Sequence, residues 1–344
     1  MPEGARMIRF LVENDFDVLS RAGSEDSLLH IVAENVDEAE VLETMKLLVT
    51  RGCNLLQPNS RGKTPVCVAI EWGHVYLASY LLSLGVPLPG DALFIALDGR
   101  RLLEDPRGRS KMVHFLVNQG ANIFTTRSNG DSVLHGAIMS FSHFPNDDPE
   151  VLDVITYLVA CGCDPAMGNT HGVTPLHLAV KQGNFMVVKC LLSLNAPLPP
   201  DILFTAIESD ISTSKMIEII KVLVAAGCDT RARDKTDHTP LYAAVIKGHV
   251  SVAKYLITVM GSPPAEELLS AAALAPANIR SEAKSLANGC LPLIAVIDRD
   301  SLPTEELLSA VALAPASVRS EAMSLPNGSL PVHRPLAKRT RFWY

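Results

Sequence analysis

A chain of 344 residues with 48% apolar and 19% charged side chains is too apolar and too weakly charged to be mostly disordered, and it has room for two ordinary domains or one elongated array. Aromatics make up only 5%, so any core must be aliphatic. The net charge is −7, and without the tail cations Arg334, Lys338, Arg339 and Arg341 the body holds 26 basic against 37 acidic residues, a poor balance for binding polyanions.

The chain opens inside a pattern. Phe10-Leu11-Val12-Glu13-Asn14 aligns with Phe115-Leu116-Val117-Asn118-Gln119, a helix-period run, without the helix that should come before it. Residues 1–23 read either as a half-repeat capping an array or as the start of a fragment. Further on, three segments align without gaps: Gly62-Lys63-Thr64-Pro65-Val66-Cys67-Val68-Ala69, Gly172-Val173-Thr174-Pro175-Leu176-His177-Leu178-Ala179 and Asp237-His238-Thr239-Pro240-Leu241-Tyr242-Ala243-Ala244. In each, Thr can cap a helix, Pro suits its first turn, and the apolar positions share one face. Gly73, Gly183 and Gly248 stand where that helix must stop, and the runs 77–84, 187–194 and 252–259 predict a second helix. Weaker copies start at Ser27, Asp91, Ser132 and Asp201. Between units, Gly52-Cys53-Asn54, Gly120-Ala121-Asn122, Gly162-Cys163-Asp164 and Gly227-Cys228-Asp229 predict turns into hairpins.

A longer period overlies the short one. Leu84-Gly85-Val86-Pro87-Leu88-Pro89 matches Leu194-Asn195-Ala196-Pro197-Leu198-Pro199 at an offset of 110, so the cassette 24–129 reads as copied into 130–237. The outer units of each cassette carry insertions, as at 98–110 and 140–149. The Pro-rich passages leave no room for a full hairpin and predict local irregularity. Near the C-terminus Glu266-Glu267-Leu268-Leu269 recurs as Glu305-Glu306-Leu307-Leu308. Residues 265–329 read as degenerate helical repeats continuing the stack, or else as a separate helical appendage. The basic tail 330–344 is predicted to be disordered.

Several motifs that suggest chemistry are explained by the repeat. Gly62-Lys63-Thr64 ends like a phosphate-binding loop, but Gln57 stands where the first Gly is required, and the same columns hold Gly172-Val173-Thr174. Cys161 and Cys163 suggest a metal site, yet Cys53, Cys163 and Cys228 share a column that takes small apolar residues. His30, His135 and His177 also share a column, which fits bonds to a neighbouring Thr or to backbone groups between repeats better than catalysis. We expect no catalytic residues, cofactor or metal, and no enzyme activity. Seven cysteines without a charged-then-apolar leader point to the cytoplasm or nucleus, and no apolar run reaches the length of a membrane span.

The Thr-Pro-Leu-His-x-Ala pattern, seen in full at 174–179, resembles the ankyrin repeat, and the resemblance covers roughly residues 5–264. It implies an all-α solenoid of about seven helix–turn–helix repeats over 24–264, followed by the degenerate C-terminal repeats. It also implies a monomeric protein–protein scaffold or adaptor, without nucleic acid as partner. The alternative is a recognition arm or substrate-recruiting subunit of a larger assembly such as a ubiquitin ligase or immune-type receptor. Partners of such arrays bind at hairpin tips and inner-helix ends. The hairpin candidates are Gln57, Asn59, Arg61, Arg127 and Asn129, then Asn169 and His171, then Arg231, Arg233, Lys235 and Asp237. The inner-helix candidates are Glu71, Trp72 and His74, then Lys181, Gln182 and Asn184, then Lys247 and His249. The cations at 231, 233 and 235 favour an acidic peptide, and Trp72 is a hot-spot candidate.

Overall fold

A computed structural model describes residues 27–34, 38–99, 106–140 and 149–261, together with Phe10, Ser270, Ala271, Ala273 and Leu274. The half-repeat at 1–23 apart from Phe10, most of 265–329 and the whole tail lie outside the described residues, as do the centres of the two insertions. Chain contacts divide the protein into two compact units, Met1–Ala232 and Arg233–Tyr344.

The first unit holds twelve described helices in six pairs. They are α1 (Leu28–Ala33) with α2 (Glu38–Thr50), α3 (Pro65–Glu71) with α4 (Val75–Ser83), and α5 (Ala92–Asp98) with α6 (Pro106–Asn118). Then follow α7 (Val133–Ser140) with α8 (Pro149–Ala160), α9 (Pro175–Gln182) with α10 (Phe185–Ser193), and α11 (Ile202–Glu208) with α12 (Thr213–Ala225). The odd-numbered helices pack one on the next to form one row, and the even-numbered helices form a second row behind it. The second unit holds α13 (Pro240–Lys247) packed on α14 (Val250–Met260). No strand occurs among the described residues beyond a single bridge between Thr126 and Ser132.

The repeat pattern explains the rows. Each short helix buries an apolar pair three residues apart: Leu29 and Val32, Val66 and Ala69, Leu93 and Ala96, Leu134 and Ala137, Leu176 and Ala179, Leu203 and Ala206, Leu241 and Ala244. Positions i and i+3 lie on one helical face, and the small second member lets the next helix approach closely. The longer helices add Leu48, Leu81, Leu116, Leu158, Leu191, Leu223 and Leu256, all fully buried. Within the first unit apolar contact runs from pair to pair, so each helix pair completes its neighbour's core.

The predicted caps form with local variation. Thr174 accepts from the backbone N–H of His177, and Thr239 accepts from that of Tyr242. Thr64 holds the same extended backbone, but its hydroxyl meets Cys67 Sγ at 3.2 Å. Gly183 ends α9 at φ +72°, and an added Cβ would come within 2.8 Å of Ile211, so only glycine fits there. After each predicted turn, the Asn or Asp side-chain oxygen accepts from the N–H two residues on, at Leu56, Phe124, Ala166 and Arg231. The Pro-rich passages 84–91 and 194–201 run without a hairpin straight into α5 and α11, tucking Val86 and Ala196 into the core.

Candidate functional site

The imidazole column ties one repeat to the next. His135 Nδ1 accepts from the Ser132 N–H at 3.2 Å, which leaves the ring proton on Nε2 to donate to the Val173 carbonyl at 2.8 Å. His30 does the same with Ser27 and the Lys63 carbonyl. His177 keeps the cap contact to Thr174, but the hairpin is missing beyond it, and Nε2 meets Asp201 Oδ1 at 3.0 Å instead. Thr174, His177 and Asp201 therefore line up as hydroxyl, imidazole and carboxylate. The same hydroxyl–imidazole contact recurs at Ser27 and Ser132, where the far partner is a carbonyl, so the arrangement is a cap clamped to the next repeat. Burial first, opposed by the Val173 bond and Asp131, holds the His135 imidazole below its ordinary pKa.

Beside this clamp is a cavity of about 490 Å³ within the first unit. Its walls come from α7, the hairpin 169–173, α9 and α11. Met139, Leu178 and Val173 give it apolar surface, with Met139 left 42% exposed. Asp131, Asp201, Glu208 and Lys181 supply its charges. Asp131 is buried and accepts from Asn129 Nδ2 at 2.6 Å and from Asn169 Nδ2 at 2.8 Å. These bonds, with His135 and Arg127 nearby, hold its carboxyl below the usual range even though burial opposes them.

The candidate contact residues fall into three groups. Arg61, Asn129, His171, Lys181, Arg231, Arg233, Lys235, Asp237 and Lys247 are exposed, and of these His171 and Lys181 line the cavity together with the half-buried Asn169. Gln57, Glu71, Trp72, Arg127, Gln182 and His249 are half-buried. Asn59, His74 and Asn184 are buried: Asn59 Oδ1 accepts from the backbone N–H groups of Arg61 and Lys63, Asn184 Oδ1 caps α10 by accepting from the Val187 N–H, and His74 stands at the N-cap position of α4 without a side-chain cap bond.

Sequence reasoning missed two internal uses of charge. Arg127 Nη2 donates to both carboxylate oxygens of Asp98, at 2.6 and 2.7 Å, and its guanidinium lies 4.7 Å from the centre of the Phe94 ring. Arg109 is fully buried, donates to the Ser140 carbonyl at 2.7 Å, and has its pKa lowered to about 10, chiefly by burial. Each joins residues about thirty positions apart, beyond the reach of a local pattern.

The cysteines follow their column. All described cysteines are free, and among the described residues no group of His, Cys, Asp and Glu could hold a metal ion. Burial, with Cys161 beside it, pushes the Cys163 thiol up to about 11, and burial with Asp229 does the same at Cys228. Cys161 is exposed. Iodoacetamide at pH 7.5 should alkylate Cys161 roughly tenfold or more faster than Cys163 in the folded protein, read by peptide mass mapping.

No described helix is long and apolar enough to cross a membrane. The chain is similar to alpha-latroinsectotoxin-Lt1a of Latrodectus tredecimguttatus, with 30% identity over 96 residues, 26% of this chain and 6% of the toxin. It is similar to the putative ankyrin repeat protein FPV022 of Fowlpox virus (strain NVSL), with 22% identity over 244 residues, 60% of this chain and 39% of that protein. It also matches the poly [ADP-ribose] polymerase tankyrase of Caenorhabditis elegans, with 24% identity over 221 residues, 63% of this chain and 8% of the enzyme. The chain thus spans well under half the length of each of these relatives. Among solved structures, the ankyrin repeat domain of Bcl-3, a member of the IkappaB family, aligns with a TM-score of 0.38 and 18% identity, over 70% of this chain and 86% of that one. The family model described as "Ankyrin repeats (3 copies)" matches residues 105–202, and that described as "Ankyrin repeat" matches 236–266. These stretches coincide with α6–α10 and with α13–α14, so the chain carries ankyrin repeats at both places.

Proposed function

We propose that this protein is a non-enzymatic scaffold or adaptor that docks partner proteins on hairpin tips and short-helix ends. The observation that carries the reading is the division of labour in each repeat. The Leu and Ala columns, the imidazole clamps and the cap residues hold the array together, while Arg61, His171, Lys181, Arg231 and Lys247 stay exposed. Side chains in that position can be specialised for a partner without disturbing the core. In the second unit, Arg233 turns back to donate to the Asp237 carbonyl and carboxylate, leaving Lys235 exposed next to it.

The relatives run far beyond the matched stretch, which favours a second reading as the recognition arm or substrate-recruiting part of a larger assembly. Work in the cytoplasm or nucleus as a monomer completes the proposal. The test is affinity capture from cell extract with the full chain and with a variant carrying Trp72→Ala and Glu at 231, 233 and 235. The variant is expected to lose a reproducible set of partners. Recovery of the same partners at the same level would reject the assigned surface.

A further inference from the structure

The duplication of 110 residues lets one cassette serve as the reference for the other. In the first copy the chain neutralises its own acids: Lys63 pairs with Glu71, and Arg127 clamps Asp98 through both oxygens. The corresponding positions in the second copy are Val173 for Lys63, Lys181 for Glu71, Glu208 for Asp98 and Asp237 for Arg127. Both cations that served the first copy are thus replaced, one by an apolar residue and one by an acid. The carboxylates at the entrance to α11 and at its end remain, as Asp91 becomes Asp201 and Asp98 becomes Glu208.

Three of these second-copy residues, together with Asp201, line the 490 Å³ cavity between α9 and α11. Glu208 is exposed and forms no ion pair among the described residues, and Lys181 forms none either. Among the described residues the Asp201 carboxylate meets only the His177 ring, and its side chain is 67% exposed. With Asp131 already held by two asparagines, Asp201 and Glu208 face the cavity against the single ammonium of Lys181. The cavity is large enough for one long side chain and its neighbours but too small for a folded surface.

We infer that the cavity between α9 and α11 receives the arginine side chain of an extended partner segment, which supplies to Glu208 and Asp201 the cation that Arg127 supplies to Asp98 in the first copy. Arginine is the occupant because the first copy shows the required chemistry, a guanidinium bonded to both oxygens of the equivalent carboxylate. Met139 and Leu178 offer apolar surface to its methylene stem. The inference rests on the docking role proposed above and names the chemistry of one contact within it.

The experiment titrates the full-length protein with the blocked tripeptides acetyl-Ala-Arg-Ala-amide and acetyl-Ala-citrulline-Ala-amide, followed by amide chemical shifts. Citrulline keeps the shape and removes the charge. Saturable shifts are expected at 169–181 and 201–209 for the arginyl peptide, with binding at least tenfold weaker for citrulline. Glu208→Gln is expected to lower arginyl affinity at least fivefold at an unchanged melting temperature, while the exposed neighbour change Asp210→Asn leaves it unaltered. Equal titration by the two peptides, or parental affinity in E208Q, would overturn the inference. Concentration-dependent self-association that E208Q abolishes would assign the seat to a second copy and also overturn it. So would a gain in peptide affinity when Arg334, Lys338, Arg339 and Arg341 are all changed to Gln, which would assign it to the chain's own tail. If the parent shows no preference for arginine while E208Q still captures the parental partners, the seat fails while the docking role stands. If partner capture fails but arginine is preferred, the reverse holds.

Discussion

His135→Ala is expected to lower the unfolding free energy by about 2–4 kcal/mol, measured by urea denaturation at pH 7.5. The ring is fully buried, so its removal opens a cavity between α7 and α9. It also takes the partner from the Ser132 N–H and from the Val173 carbonyl, two groups that lie in different repeats. Truncation therefore costs packing and leaves polar backbone unmatched at one point. A loss below about 0.5 kcal/mol, the size of an ordinary surface change, would mean that the clamp contributes little.

The same residue gives the pH dependence a sign. An unfolded histidine takes up its proton near pH ~6.5. The folded His135 takes it up only at lower pH, because burial outweighs the Val173 bond and Asp131. Between those values the unfolded chain holds more protons, so acidification from pH 7 towards 5 favours unfolding, and above ~6.5 this contribution is constant. The parent should lose stability across that window, and H135A should lack this share of the slope. Asp131 acts in a separate window: its carboxyl is depressed in the fold, so its contribution is lost only as the pH falls below its ordinary value of 3.8.

Gly130→Ala is expected to cost about 2–3 kcal/mol, read by the same urea denaturation. The residue sits at φ +78°, and an added Cβ would lie 2.8 Å from the Thr170 backbone nitrogen. That nitrogen donates to the Asn129 carbonyl at 3.1 Å, and the Thr170 hydroxyl donates to the same oxygen at 2.8 Å. The nearest neighbour is backbone and cannot swing aside, so the two hairpins must separate to admit one methyl group. Gly62 makes a good control, because it has a similar φ with open space around it, and its Ala variant carries the backbone penalty alone. Equal losses at 62 and 130 would refute the proposed steric contact between hairpins.

The helix pairs were legible because one sequence period coincides with one structural unit. Thr174, Pro175, Leu176 and Gly183 each act within a turn of their own position, and that is the range over which a repeat is visible. The imidazole column was legible for the same reason, since three copies of a serine or threonine followed three residues later by histidine point to one local geometry. The fate of the polar candidates was not. His74 and Asn184 read as groove residues but are buried at the starts of α4 and α10, and Asn184 is turned inward as the side-chain cap of its helix, bonded to the Val187 N–H. Arg127 read as a hairpin tip, yet Asp98, 29 residues earlier, draws it back across the repeat. The cavity at α9 and α11 depends on a missing hairpin, and a pattern search can register that only as a gap between matches.

The two-row arrangement also bears on how the first unit reaches its native state. Every helix touches its own partner and the helices of the adjoining pair, so contacts link residues that are near in sequence. Low contact order of this kind lowers the entropy of loop closure and favours fast folding that can start in any well-formed pair and spread outward. Amide exchange in the first unit should be slowest in the central pairs α5–α8 and quicken towards the outer pairs, a gradient of protection along the stack in place of a single cooperative threshold.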